Sequence, residues 1–166
     1  MTAPEDDQYF LIVQGKCQEW ISVARQLRDW HWADTSAPLT LKALREEVRP
    51  RLDKLEVLLD QAVMLKNGAL SNARERENAY QDAWDKKADT ARRGTREYEG
   101  AQERYAWYRL ECKALLDESR LAQRILEMTR DAEERVRLAY QGLDKLRQDM
   151  NGALRELQWE GAYERT

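Results

Sequence analysis

Apolar residues recur along this chain at alternating steps of three and four, the spacing that lines one side of a coiled-coil helix. The first stripe reads Phe10, Val13, Cys17, Trp20, Ala24, Leu27 and His31, and predicts a helix from about Glu5 to Trp32. Asp34-Thr35-Ser36-Ala37-Pro38 then supplies capping side chains and a proline tolerated near a helix start, so a turn is expected there. A second stripe runs through Leu41, Leu44, Val48, Leu52, Leu55, Leu59, Ala62, Ala69, Ala73, Tyr80 and Ala83 without losing phase.

Two positions interrupt the second stripe. Pro50 removes a backbone donor, yet the apolar phase agrees on either side, which predicts a bend and not a break. Asn67-Gly68 is a helix-stop signal, and Asn72 with Glu75 fits a capping box, so a turn at 67–72 is the competing reading. A turn has no reason to preserve heptad phase, and the phase is preserved. The preferred reversal is Ala91-Arg92-Arg93-Gly94-Thr95-Arg96, with Gly94 ending one helix and Thr95 capping the next.

The third stripe leaves through Tyr98, Ala101, Tyr105, Tyr108, Cys112, Leu115, Ser119, Ala122, Leu126, Thr129, Val136, Tyr140, Leu143, Met150, Leu154 and Leu157. Folding the chain at Gly94 sets Ala83 against Tyr105, Tyr80 against Tyr108, Ala73 against Leu115, Ala62 against Leu126, Leu52 against Val136 and Leu44 against Leu143. Small residues mostly meet large ones, as a filled core requires. The expected fold is therefore all-α: a long antiparallel coiled-coil hairpin on a three-helix-bundle base. Residues 5–66 with 122–163 would form the base and 67–121 a projecting two-helix arm, because the second stripe turns from leucine-rich to alanine- and tyrosine-rich near Lys66. Each long helix would span about 80 to 95 Å at ~1.5 Å per residue. The alternative is a compact four-helix bundle turning at Asn67-Gly68, serving as an adaptor or a secreted helical effector.

Composition supports helices with wet faces: 36% of the 166 residues are charged, while glycine and proline are scarce. The net charge of -3 comes from nearly balanced acids and bases, which disfavours a general polyanion binder. No apolar run approaches the ~20 residues that cross a bilayer. The acidic start Met1-Thr2-Ala3-Pro4-Glu5-Asp6-Asp7 does not read as a secretory leader, and Cys17 and Cys112 have no CxxC partners, so a reducing, cytoplasmic setting is expected. Arginine outnumbers lysine, a codon signature of a GC-rich, bacterial genome.

Candidate chemistry is thin. A helix-bundle carboxylate metal site needs Glu-x-x-His pairs on facing helices, and the chain has one histidine, His31. Neither a nucleophile nor a second histidine accompanies it, and both cysteines fall on seam positions where a thiol acts as a small apolar side chain. Gly94 and Gly100 lack the lysine and strand context of a phosphate loop. We therefore expect no catalytic, metal or cofactor site, and read a non-enzymatic scaffold or adaptor that self-associates or docks a protein partner.

Two features qualify as interaction sites. Trp84, Trp107 and Tyr108 lie beside or on the stripe and suit an association surface, since aromatic side chains are favoured interface anchors. Lys86, Lys87, Arg92, Arg93 and Arg96 gather near the expected reversal with Asp89 as the only acid among them. That basic tip makes nucleic acid or an anionic surface the second, less favoured class of partner.

Trp159-Glu160-Gly161 resembles the WxG of small secreted helical-hairpin proteins, and Tyr140-Gln141-Gly142-Leu143-Asp144 resembles their YxxxD export signal. In that family the WxG sits in the interhelix turn and comes first; here the order is reversed, and membership is not assigned. If the basic tip binds nucleic acid, affinity falls steeply with salt and again with Arg92→Ala, Arg93→Ala and Arg96→Ala. Binding that stays flat across that series removes the polyanion reading.

Overall fold

A computed structural model describes residues 4–29, 44–93, 109–110 and 112–163. Three α-helices account for nearly all of them: α1 (Pro4–Arg28), α2 (Arg49–Arg93) and α3 (Lys113–Tyr163), with one π-helical turn, Leu44–Val48, leading into α2. The fold is all-α, and no strand occurs among the described residues. No helix of the described residues is long and apolar enough to cross a membrane. The expected turn at 34–38, His31, and the reversal from Gly94 onward lie outside the described residues.

Local chemistry explains the helix starts. Pro4 opens α1, where a missing donor costs nothing, and Asp7 in the first turn places negative charge near the positive end of the helix dipole. Pro50 is the second residue of α2, but the helical turn Leu44–Val48 directly precedes it. The turn before it is widened to π geometry, which accommodates a residue that can neither donate to the preceding turn nor fit closely against it. Helical structure thus runs on from Leu44 through Pro50 to Arg93 without a break.

Asn67-Gly68 is helical, and the compact-bundle alternative with a turn there is not the structure. Gly68 has no positive φ, and a Cβ added to it would meet nothing within 4 Å. Its glycine is an exposed, conformationally costly guest in an ordinary helix interior.

By proximity the chain divides into two compact units. Unit 1 comprises Met1–Gly15 and Leu65–Arg130, and unit 2 comprises Lys16–Met64 and Asp131–Thr166. Unit 2 contains a continuous apolar core of Ala24, Leu44, Val48, Leu52, Leu55, Val136, Ala139, Leu143 and Met150, with Trp20, Leu27, Leu58, Leu59, Tyr140, Leu146 and Leu154 packed against it. Fully burying a side chain such as Leu55 or Leu143 contributes about 1.5–3 kcal/mol, so this cluster is the main source of stability in its unit.

Unit 1 is built from smaller residues. Ala69, Ala73, Cys112, Ala122, Ile125 and Leu126 are buried there, together with the hydroxyls of Ser119 and Thr129. Val13 comes from α1, and Arg124 of α3 lies over the Phe10 ring at 4.9 Å, a cation–π contact. Tyr9 shares a small depression with Asn72, Arg76, Glu118, Leu121, Ala122 and Ile125, so α1 has neighbours on α2 beyond Lys66.

Unit 1 also gives the alignment of α2 on α3. Arg76 Nη1 donates to Glu118 Oε2 at 2.5 Å, and Ser119 Oγ donates to Glu77 Oε2 at 2.7 Å. The alignment expected from a fold at Gly94 would put Arg76 level with Cys112, six residues from its observed partner. The same alignment puts Glu77 level with position 111, eight residues or about 12 Å from Ser119, too far for the short serine side chain to bridge. The helices are thus displaced by close to one heptad from the expected pairing.

Replacing Gly68→Ala should raise unfolding stability by about 0.5–1 kcal/mol, the usual gain for alanine over glycine in an exposed helix interior. Chemical denaturation of both proteins checks it, and a loss of stability would indicate a turn at that position.

Candidate interaction surface

Of the residues singled out for interaction, Trp84, Lys86 and Lys87 are described with their side chains. They stand on the C-terminal third of α2. Trp84 is half-buried and its ring lies 6.3 Å from that of Tyr80 at a 42° tilt, the contact expected of aromatics four residues apart on one helix. Lys86 is exposed and Lys87 half-buried, and neither is without a partner. Arg92 and Arg93 belong to the last turn of α2 by their backbone. Arg96, Trp107 and Tyr108 lie outside the described residues. The structure therefore joins Trp84 to Tyr80, and it does not bring the wider basic and aromatic set into one described surface.

The sequence reading missed a different patch. In unit 2 the side chains of Val23, Asp53, Lys54, Val57, Leu58 and Gln61 line an open depression of about 430 Å³ on the α1–α2 side. Val57 is 56% exposed, and Met64 on the same helix is 74% exposed. Val57, Gln61 and Met64 follow the three-and-four spacing off the main seam. A second, incomplete apolar stripe was thus present in the sequence, hidden behind the stronger first one.

A second depression in unit 2, about 450 Å³, has a charged lining. Arg45, Arg49, Arg147, Asp53, Glu56, Tyr140 and Asn151 surround the buried Leu44 and Leu52. Arg147 pairs with Asp144 at 2.6 Å, which leaves Arg45 and Arg49 facing Asp53 and Glu56 in balance. Balanced exposed charge gives this hollow no preference for an anion.

Titratable groups elsewhere are held in structural roles. Burial pushes the Cys17 thiol above its ordinary range, and the Asp131 carboxylate adds to the shift. Such a thiol stays protonated and unreactive. Hydrogen bonds from Gln81 and from Ser119 hold the Glu77 carboxyl below its usual range. Glu133 is buried and pairs with Arg137 one turn on. Among the described residues no three His, Cys, Asp or Glu side chains converge as metal ligands would.

No protein-family profile matches the sequence, and no curated protein or solved structure matches the chain. The surface itself is the basis for any reading of function.

Folded protein should react with a disulfide reagent at Cys17 at least about tenfold more slowly than free cysteine at pH 8, and at the free rate in denaturant. Because the folded thiol has the raised pKa, its stabilising effect is complete below the unfolded value of about 8.5 and is lost as pH rises through the folded value. Unfolding curves of the wild type and Cys17→Ala across pH 7–10 check the sign.

Proposed function

We propose that the protein is a non-enzymatic structural or interaction protein, a scaffold or adaptor that works through helix–helix association. In this reading α2 and α3 run antiparallel as a coiled-coil hairpin, and α1 supplies the third helix of a bundle. Support comes from the seam positions that are buried in both units and from the side-chain pairs joining α2 to α3.

The observation that carries the functional part is the apolar patch of Val23, Val57 and Leu58, with exposed Met64 two turns along the same helix from Val57. A single exposed apolar side chain is ordinary, but here exposed Val57 borders one hollow together with half-buried Val23 and Leu58, rimmed by Asp53, Lys54 and Gln61. A hollow of this kind suits the i, i+3, i+7 anchors of an amphipathic helix. The occupant we propose is a second copy of this chain. Its patch carries matching apolar anchors, and the Asp53 and Lys54 rim lets each copy set an acid against a base across a two-fold axis.

Sedimentation equilibrium over a wide concentration range should show a wild-type dimer that Val57→Lys with Met64→Lys weakens by about tenfold or more, with helicity unchanged. A wild type that remains monomeric at the highest concentrations would sink this reading.

A further inference from the structure

A seven-residue repeat fixes which faces of two helices meet, but leaves their alignment along the axis open. Sliding α3 past α2 by one heptad, about 10 Å at ~1.5 Å per residue, returns seam positions to seam positions. In unit 1 the slide carries Ala73 from the level of Ala122 to that of Leu115, and Ala69 from the level of Leu126 to that of Ser119. In unit 2 it carries Leu52 from the level of Leu143 to that of Val136. Apolar burial alone therefore chooses weakly between the two alignments.

The polar side chains do choose. Ser119 is 2% exposed and donates across the interface to Glu77, while Arg76 donates to Glu118 one residue earlier on each helix. Thr129, equally buried, makes a useful contrast: its hydroxyl donates to the Leu126 carbonyl of its own helix and is indifferent to sliding. After a slide, Ser119 would stand level with the methyl group of Ala69, and Glu77 would lose one of its two donors. Stranding a buried hydroxyl is costly, and polar groups at seam positions are an established way to specify register.

We propose that Arg76–Glu118 and Ser119–Glu77 form a register lock, which selects one of two heptad-related alignments of α2 on α3, and that releasing it lets the slipped alignment populate. Each lost contact shifts the ratio by up to about tenfold. The lock lies in the unit with the small-residue seam, where apolar packing discriminates least.

Spin labels on Glu75→Cys and Arg120→Cys, both exposed sites, in a Cys17→Ala, Cys112→Ala background report the alignment by pulsed paramagnetic resonance. With the lock intact one distance is expected. With Arg76→Ala, Glu77→Ala, Glu118→Ala and Ser119→Ala a second, displaced distance appears, and the exchange Arg76→Glu with Glu118→Arg returns the distribution toward one. If circular dichroism shows that the fourfold variant has unfolded, Glu77→Gln with Ser119→Ala is judged by the same criterion. A single unmoved distance in the folded variant, or two distances with the lock intact, overturns the proposal.

Discussion

Everything in this structure answers to one constraint: an apolar stripe of heptad period must be covered along its length. Because the stripe keeps phase through Leu44–Val48, Pro50 and Asn67-Gly68, the backbone stays helical across all three. Local signals lose to that pressure wherever their cost is small. The widened π turn before Pro50 accommodates the proline, and a glycine in a helix interior costs about 1 kcal/mol, less than uncovering even one buried leucine.

The two units satisfy the constraint with different materials. Unit 2 buries leucine and valine and gains most of its stability from area removed from water. Unit 1 buries alanine, serine and threonine, which allow close backbones but release less apolar surface per residue. Hydrogen bonds in unit 1 accordingly carry more of the specificity, and among the described residues Arg76 with Glu118 and Ser119 with Glu77 join α2 to α3. By comparison the same-helix pairs, such as Arg135 with Asp131, are exposed and contribute little.

Period and phase made helix type, continuity and most of the core legible before any coordinates. Val13, Cys17, Ala24, Leu52, Leu55, Ala62, Ala73, Val136 and Leu143 were seam positions by spacing, and all are buried. Axial alignment was not legible, because a period of seven carries no information about displacement by seven. Ile125, Ala132 and Ala139 were missed for another reason: a helix with neighbours on two sides buries a stripe wider than a two-position seam. Leu157 failed in the opposite sense. It follows the seam but lies one turn past Leu154, the last residue packed against the unit 2 cluster, and is 56% exposed. The candidate interaction residues were legible only in part, because the stripe through Val57 and Met64 is weaker than the seam beside it and is interrupted by polar Gln61.

The two hollows of unit 2 differ in what a partner would have to do to enter them. The charged one requires removing water from Arg45, Arg49, Asp53 and Glu56, and exposed ions repay that only with geometry matched at every group. The hollow at Val57 and Leu58 asks a partner to desolvate mainly hydrocarbon, with charge confined to the rim at Asp53 and Lys54. Burying it is favourable at roughly 25 cal/mol per Å² without any exact match, and the rim charges then govern orientation more than affinity. Asp53 borders both hollows, so a partner seated at Val57 would also disturb the charge balance around Arg49. The two hollows thus share that one side chain.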